Sequence, residues 1–198
     1  MESKPIQFGV IMEKGRAEVH HGFLPPLGPN DLLLKMEACN ICTTDYQQWQ
    51  GLRDYRGFPM ADGHEYTGVI IEKGESVIDA FQVGDRVGKI NRHCGICNDC
   101  RSGRTGDCKF IGRVGRSVER QSDGYYGSKS FADYKIIPQT LAIKISKEIP
   151  AEEAAFLEPV ATAVHCVKRA RIHPMENVTI IGMGTMGILN AQVAKAFG

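Results

Sequence analysis

Residues 178–198 read VTIIGMGTMGILNAQVAKAFG: an apolar run, a glycine turn and an Ala-rich segment in immediate succession. Val178 to Ile181 has the length and β-branched composition of a strand, and it feeds directly into Gly182-Met183-Gly184-Thr185-Met186-Gly187. Glycines at those spacings allow a tight turn, a close backbone approach to pyrophosphate, and close packing of a helix on a strand. Ile188 to Phe197 has the composition of that helix, whose N-terminus favours an anion through its unpaired N–H groups and macrodipole. The stretch predicts the first βα unit of a dinucleotide-binding sheet, with Gly182, Gly184, Thr185, Met186 and Gly187 as the cofactor-binding residues. The acid that grips the ribose is expected about 20 residues further on, beyond Gly198. The chain therefore reads as a fragment of a larger protein.

Upstream the pattern changes twice. From residue 6 to about residue 146, short strand-like segments alternate with glycine turns: IQFGVIM, DLLLKMEA, TGVIIEKG, DRVGKI, ADYKIIP and LAIKIS. That is the signature of a small irregular β-barrel or sandwich. Near residue 150 it gives way to PAEEAAFLEPVATAVHCVKRARIHP, which is Ala-rich and helical in character. Pro150 precedes an acidic first turn, and Pro159 is expected to restart the helix at an N1-like position. Lys168, Arg169 and Arg171 gather where a helix C-terminus welcomes cations, and Pro174 marks the stop. The expected class is mixed β with α/β: a β domain over residues 1–150, a helical connector over 151–174, and the start of a parallel α/β unit over 175–198.

Composition narrows the partners. The chain has 198 residues, a net charge of +1, and neither a basic block nor an acidic tail, which argues against nucleic acid and membrane surfaces. Its opening, MESKPIQFGVIMEKGRAE, lacks a signal peptide's apolar segment. No apolar run approaches the ~18 residues of a membrane span. A cytoplasmic protein is expected. Seven cysteines, clustered rather than scattered, fit metal thiolates in a reducing compartment better than a disulfide framework.

Four of them lie in CGICNDCRSGRTGDC, residues 94–108. Two-residue gaps let the thiolates of Cys94, Cys97 and Cys100 converge on one ion, and a glycine-containing return brings in Cys108. A closed four-thiolate zinc site results, holding a lobe over residues 92–110 that has almost no apolar side chains of its own. Free thiols and an iron–sulfur cluster are the alternatives, but ferredoxin-type runs carry Pro after their last cysteine, and here Lys109 follows Cys108. Arg92, Arg101, Arg104, Lys109 and Arg113 lie near the lobe with no aromatic ladder beside them, so a nucleic-acid-binding ribbon has little support.

Three separated stretches carry the other metal-type residues: CNICTTDYQQWQG, DGHEYTG and FLEPVATAVH. Their candidate ligands are Cys42, His64, Glu65 and Glu158, with Thr44 two residues beyond the cysteine. Cys39 and Cys166 fall outside both groups and read as core packing.

Taken together, these stretches resemble the zinc-containing medium-chain alcohol dehydrogenase family, in particular its polyol and threonine dehydrogenase branch. The motifs are Cys42-x-Thr44-Asp45, Gly63-His64-Glu65, Gly84-Asp85-Arg86-Val87, the four-cysteine lobe, Leu157-Glu158-Pro159 and the terminal glycine loop. The resemblance implies a GroES-like β-barrel catalytic domain followed by a truncated Rossmann domain. It also implies one catalytic zinc, one structural zinc, NAD or NADP, an alcohol or polyol substrate and a homo-oligomer. By that resemblance Cys42 and His64 bind the catalytic zinc, Glu65 and Glu158 compete for the next position, and Thr44 starts a proton relay. A catalytic zinc keeps three protein ligands and an open position, so four candidates are one too many. Which glutamate ligates stays open in the sequence. Gln47 stands where many relatives have a relay His, and glutamine cannot take a proton near neutral pH. The other reading is a zinc-stabilised GroES-like module that binds partners and catalyses nothing. A lone βα unit is expected to bury its apolar faces on the β domain or on another copy of the chain.

Overall fold

Strand β1 (Pro5–Glu13) turns through Lys14 and Gly15 into strand β2 (Arg16–Phe23), and the two pair antiparallel as a hairpin. The computed structural model describes residues 4–53, 57–90, 93–110, 123–173 and 175–198. Along β1 the side chains alternate, so that Ile6, Phe8 and Val10 are buried on one face and share a small core with Ala61. β2 is mostly exposed along its length, which explains why RAEVHHGF carries no strand pattern in the sequence. It is a strand because β1 supplies its ladder.

Five further strands form the main sheet in the order β6-β3-β4-β5-β7, every neighbouring pair antiparallel. They are β3 (Asp31–Asn40), β4 (Glu65–Lys73), β5 (Arg86–Lys89), β6 (Tyr134–Pro138) and β7 (Ala142–Lys144). Leu32, Leu34, Tyr66, Ile70, Val77, Phe81, Val87 and Ile137 make its core. The β3–β4 register shifts twice, between Leu33 and Leu34 and between Met36 and Ala38, and such bulges bend a sheet. The hairpin is stitched to the bent sheet through irregular chain: Gly9 N–H donates to the Phe131 carbonyl (2.7 Å), and Ile11 and Met60 exchange two backbone bonds (2.8 Å each). The result is the curled half-barrel that the β-rich sequence predicts. All six strand-like segments of the sequence fall on β1 and β3 to β7.

The Gly84-Asp85-Arg86-Val87 motif closes this unit, with a distinct task for each side chain. Asp85 pairs with Lys144 (2.7 Å) and accepts from the Gln82 N–H (2.8 Å); these contacts, Lys144 first, hold its carboxyl below the usual range. Arg86 forks onto Glu37 of β3, with Nε–Oε2 at 2.6 Å and Nη2–Oε1 at 3.0 Å. Its Nη1 donates to the carbonyls of Ser146 and Ile149, on the chain leading out of β7. Val87 enters the main core.

Helix α1 (Thr43–Trp49) follows β3, and α2 (Asn98–Arg101) lies within the cysteine stretch. After β7, α3 (Ala151–Ala154) starts behind Pro150 as expected. The longer α4 (Leu157–Ala170) begins before the predicted restart, so Pro159 occupies its third position rather than its first. Proline is tolerated there because the N–H groups of the first turn have no intrahelical partner. α4 buries Pro159, Ala163 and Val167 and ends on Arg171 in the left-handed conformation, with Lys168 and Arg169 in its last turn. Cys166 is exposed, one position off that buried stripe, which corrects its assignment to the core. Pro174 lies outside the described residues.

The last stretch departs from expectation in one respect. The helix forms as α5 (Thr185–Ala196), but residues 178–181 join no ladder, and Ile181 is 97% exposed. A strand needs a neighbour to satisfy its N–H and C=O groups, and the described residues provide none at this place. α5 packs on α4, rather than on the β sheets. No helix among the described residues is long and apolar enough to cross a membrane.

Candidate functional site

The N-terminus of α1 and the start of β4 meet at one point. Cys42 is the N-cap of α1, and Asp45 reaches back to accept its N–H (2.9 Å), which fixes the turn carrying the thiol. Across from it, Gly63 has φ of 104°, and a side chain there would press on Cys39 Sγ (3.0 Å) and the Phe131 ring (3.2 Å). Only glycine suits that conformation and that space, so His64 and Glu65 are delivered at a fixed angle as β4 begins. Cys42, His64 and Glu65 each offer a ligand atom, and the three atoms lie within 4.8 Å of one another.

Burial raises the pKa of the Cys42 thiol, with Thr44 opposing, and burial also raises that of the Glu65 carboxyl, with the charge of Glu158 adding to the rise. Two acids that resist ionisation side by side are the condition a cation relieves. A thiolate, an imidazole and a carboxylate in this arrangement form a donor set that suits zinc. Glu158, in the first turn of α4, stands outside the 4.8 Å grouping though close enough to influence Glu65. The Thr44 hydroxyl is buried without a hydrogen-bond partner among the described residues, an orphaned polar atom beside the three ligands.

Two further acids surround His64. Asp45 Oδ1 lies 3.9 Å from His64 Nδ1, and Asp45, Asp62 and His64 form a second grouping within 4.8 Å. A carboxylate behind a ligating imidazole fixes its tautomer and ring orientation. Asp62 is held in turn by the Ser128 N–H (3.3 Å) and hydroxyl (3.2 Å). Sequence reading gave neither aspartate a role. The capping distance from Cys42 to Asp45 was the available signal for one; Asp62 has none beyond its place beside Gly63.

The four-cysteine lobe assembles as its spacing predicts. The sulfurs of Cys94, Cys97, Cys100 and Cys108 lie within 4.8 Å of one another, with Cys94–Cys100 at 3.8 Å and Cys97–Cys100 at 3.4 Å, and all four are free of disulfides. A tetrahedral ion with bonds of about 2.3 Å sets its sulfurs about 3.8 Å apart. The separations thus fit one ion and are too short for a multi-iron cluster. N–H groups of Cys94 and Cys97 point at the sulfurs of Cys108 and Cys94 (3.3 Å each). Within 93–110 only Cys108 is buried, so no apolar core holds the lobe. Arg104 is engaged by Asp99 (2.8 Å), while Arg92 and Arg113 lie outside the described residues.

At the far end, Gly184 caps α5 while Thr185 and Met186 open it. A Cβ on Gly187 would fall 1.8 Å from the Gly182 carbonyl oxygen, and Gly182 itself has φ of 99°. The loop is therefore closed on itself more tightly than any side chain permits. Cys39 is half-buried, and burial pushes its thiol up to about 12.

A curled antiparallel half-barrel thus carries a thiol, imidazole and carboxylate cluster together with a separate four-thiol lobe. The pattern of the alcohol dehydrogenase GroES-like domain matches residues 28–147, and the chain belongs to that family. It is 38% identical over 180 residues to the L-threonine 3-dehydrogenase of Shewanella frigidimarina, covering 88% of this chain and 49% of that protein. A Sinorhizobium meliloti protein described as a zinc-binding dehydrogenase, solved with NADP, is 30% identical with a TM-score of 0.78, covering 98% of this chain and 54% of its own. Galactitol-1-phosphate dehydrogenase of Escherichia coli is 25% identical with a TM-score of 0.80, covering 97% of this chain and 53% of its own. The chain spans about half the length of the relatives it matches.

Proposed function

We propose that this chain is the N-terminal catalytic portion of a zinc-dependent dehydrogenase that oxidises a secondary alcohol or polyol to a ketone, with NAD or NADP as hydride acceptor. The convergence of Cys42, His64 and Glu65 beside the orphaned Thr44 hydroxyl carries this reading. On it, residues 1–150 are the catalytic domain, 151–174 the connector, and 175–198 the opening of the cofactor domain.

Cys42 as thiolate, neutral His64 and Glu65 as carboxylate would hold the catalytic zinc, their two negative charges balancing the ion. When bound there, zinc supplies a Lewis acid that brings the pKa of an alcohol hydroxyl toward neutrality. Thr44 Oγ1, beside the Cys42 thiol, would relay the substrate's proton, receiving it as it hands its own hydroxyl proton to solvent. Asp45 keeps His64 oriented, and Glu158 is the reserve carboxylate that steadies the site from α4. Cys94, Cys97, Cys100 and Cys108 would hold the structural zinc. Gly182, Gly184 and Gly187 leave room for the cofactor's phosphates against α5, with Thr185 and Met186 presenting its first N–H groups.

The test is alcohol-dependent reduction of NAD or NADP, with the chain completed by the remaining half of one of the threonine dehydrogenases. The 198-residue chain alone should stay near background. In the completed protein, Thr44→Val should lower turnover by about 100- to 10,000-fold. A folded, zinc-loaded completed protein that reduces neither cofactor with any alcohol would favour the non-catalytic interaction module instead.

A further inference from the structure

His64 belongs to two groups at once, meeting Cys42 and Glu65 in one and Asp45 and Asp62 in the other, each group within 4.8 Å. An imidazole has two ring nitrogens, and when one binds an ion the other is left to an outer partner that fixes the ring. Asp45 comes to this place from α1, whereas Asp62 comes from the turn before β4 and is tied to a distant segment. Ala61 N–H donates to the Tyr126 carbonyl (2.8 Å), Lys129 N–H to the Ala61 carbonyl (2.7 Å), and Ser130 N–H to the Asp62 carbonyl (2.9 Å). Gly127 lies so near that a Cβ on it would fall 2.3 Å from the Ala61 carbonyl oxygen. On this frame Ser128 turns both its N–H (3.3 Å) and its hydroxyl (3.2 Å) toward Asp62 Oδ1. The same hydroxyl lies 2.9 Å from that of Ser130, which is fully buried and keeps Ser128 in place.

We infer that Asp62 is a second positioning carboxylate for His64, aimed by Ser128, and that this pair strengthens the imidazole as a metal ligand. The backbone bonds already join the two segments, so the fold itself requires no charge at residue 62. A carboxylate beside a ligating imidazole raises its basicity and favours a bound cation. Ser128 stands 66 residues further along the chain, on a segment that offers no ligand of its own. Neither residue touches substrate; both act through His64. The inference rests on the proposed metal centre and adds to it the residues that set its affinity.

The experiment is chelator competition on the zinc-loaded chain, with the four-thiolate ion as internal reference. Asp62→Asn keeps an oxygen to accept from Ser128 but removes the charge; it should weaken the ion at Cys42 about 10- to 100-fold and leave the reference ion unchanged. Ser128→Ala should weaken the same ion by less, since the N–H remains, and should add nothing in the Asp62→Asn background. Ser128→Thr, which restores a hydroxyl, should hold the original affinity. Unchanged affinity in Asp62→Asn overturns the inference, because the aspartate would then serve only the turn. A Ser128→Ala loss that persists in full beside Asp62→Asn overturns it too, since the serine would be acting through the backbone. Parallel weakening of both ions marks a general loss of structure and counts against it. If Cys42→Ser in the otherwise unchanged chain releases no ion, the metal centre itself is wrong and the inference falls with it.

Discussion

Cys97→Ser should release one zinc equivalent and open residues 93–110 to protease while the β core stays folded. The described lobe has one buried residue, Cys108, and two short helical turns, α2 and Thr105–Asp107, too short to persist alone. What joins them is the meeting of four sulfurs. Small zinc domains draw about 10–16 kcal/mol of apparent binding energy from such sites, and without metal they unfold. Arg104 anchors the lobe through Asp99 at the surface, and an exposed pair of this kind cannot replace the ion. Elemental analysis together with limited proteolysis checks this. Unchanged zinc content and an intact lobe in the serine variant would show that the four-thiolate site does not hold the stretch together.

Arg86→Met should cost about 3 kcal/mol, because breaking one side of a desolvated ion pair strands the other. The Arg86 side chain is 9% exposed and Glu37 25%, so the pair is well withdrawn from water though not fully enclosed. The loss also frees the carbonyls of Ser146 and Ile149, which otherwise anchor the passage from β7 to α3. Urea unfolding measures the effect. Replacing Glu37 by Leu in the same chain should recover part of the loss, since no stranded carboxylate remains. A cost below about 1 kcal/mol for Arg86→Met would mean the pair acts as an ordinary surface ion pair.

Much of the architecture was legible because the core strands advertise themselves. β3 and β4 carry dense aliphatic runs between turn residues, and the cysteine spacing of 94–108 dictates convergence on one ion whatever surrounds it. β2 was not legible, since its ladder comes from β1 and its own side chains face solvent. The seven-residue α1 was also missed; it is too short for apolar periodicity, and its only signal was the capping distance between Cys42 and Asp45. Residues 178–181 show the opposite error: a strand-like composition that forms no strand without a neighbour to pair with. At the candidate site, Cys42, His64 and Glu65 were named from motifs, but their meeting depends on the Gly63 turn and the cap of α1. The support from Asp45 and Asp62 could be seen only once β4 and α1 were in place.

Zinc per chain tests the central claim most directly, measured by elemental mass spectrometry on chelator-free protein. About two ions per chain are expected, falling to one in Cys42→Ser and to the other one in Cys97→Ser. A single ion that Cys97→Ser removes and Cys42→Ser leaves untouched would contradict the claim that Cys42, His64 and Glu65 form a metal centre within this chain.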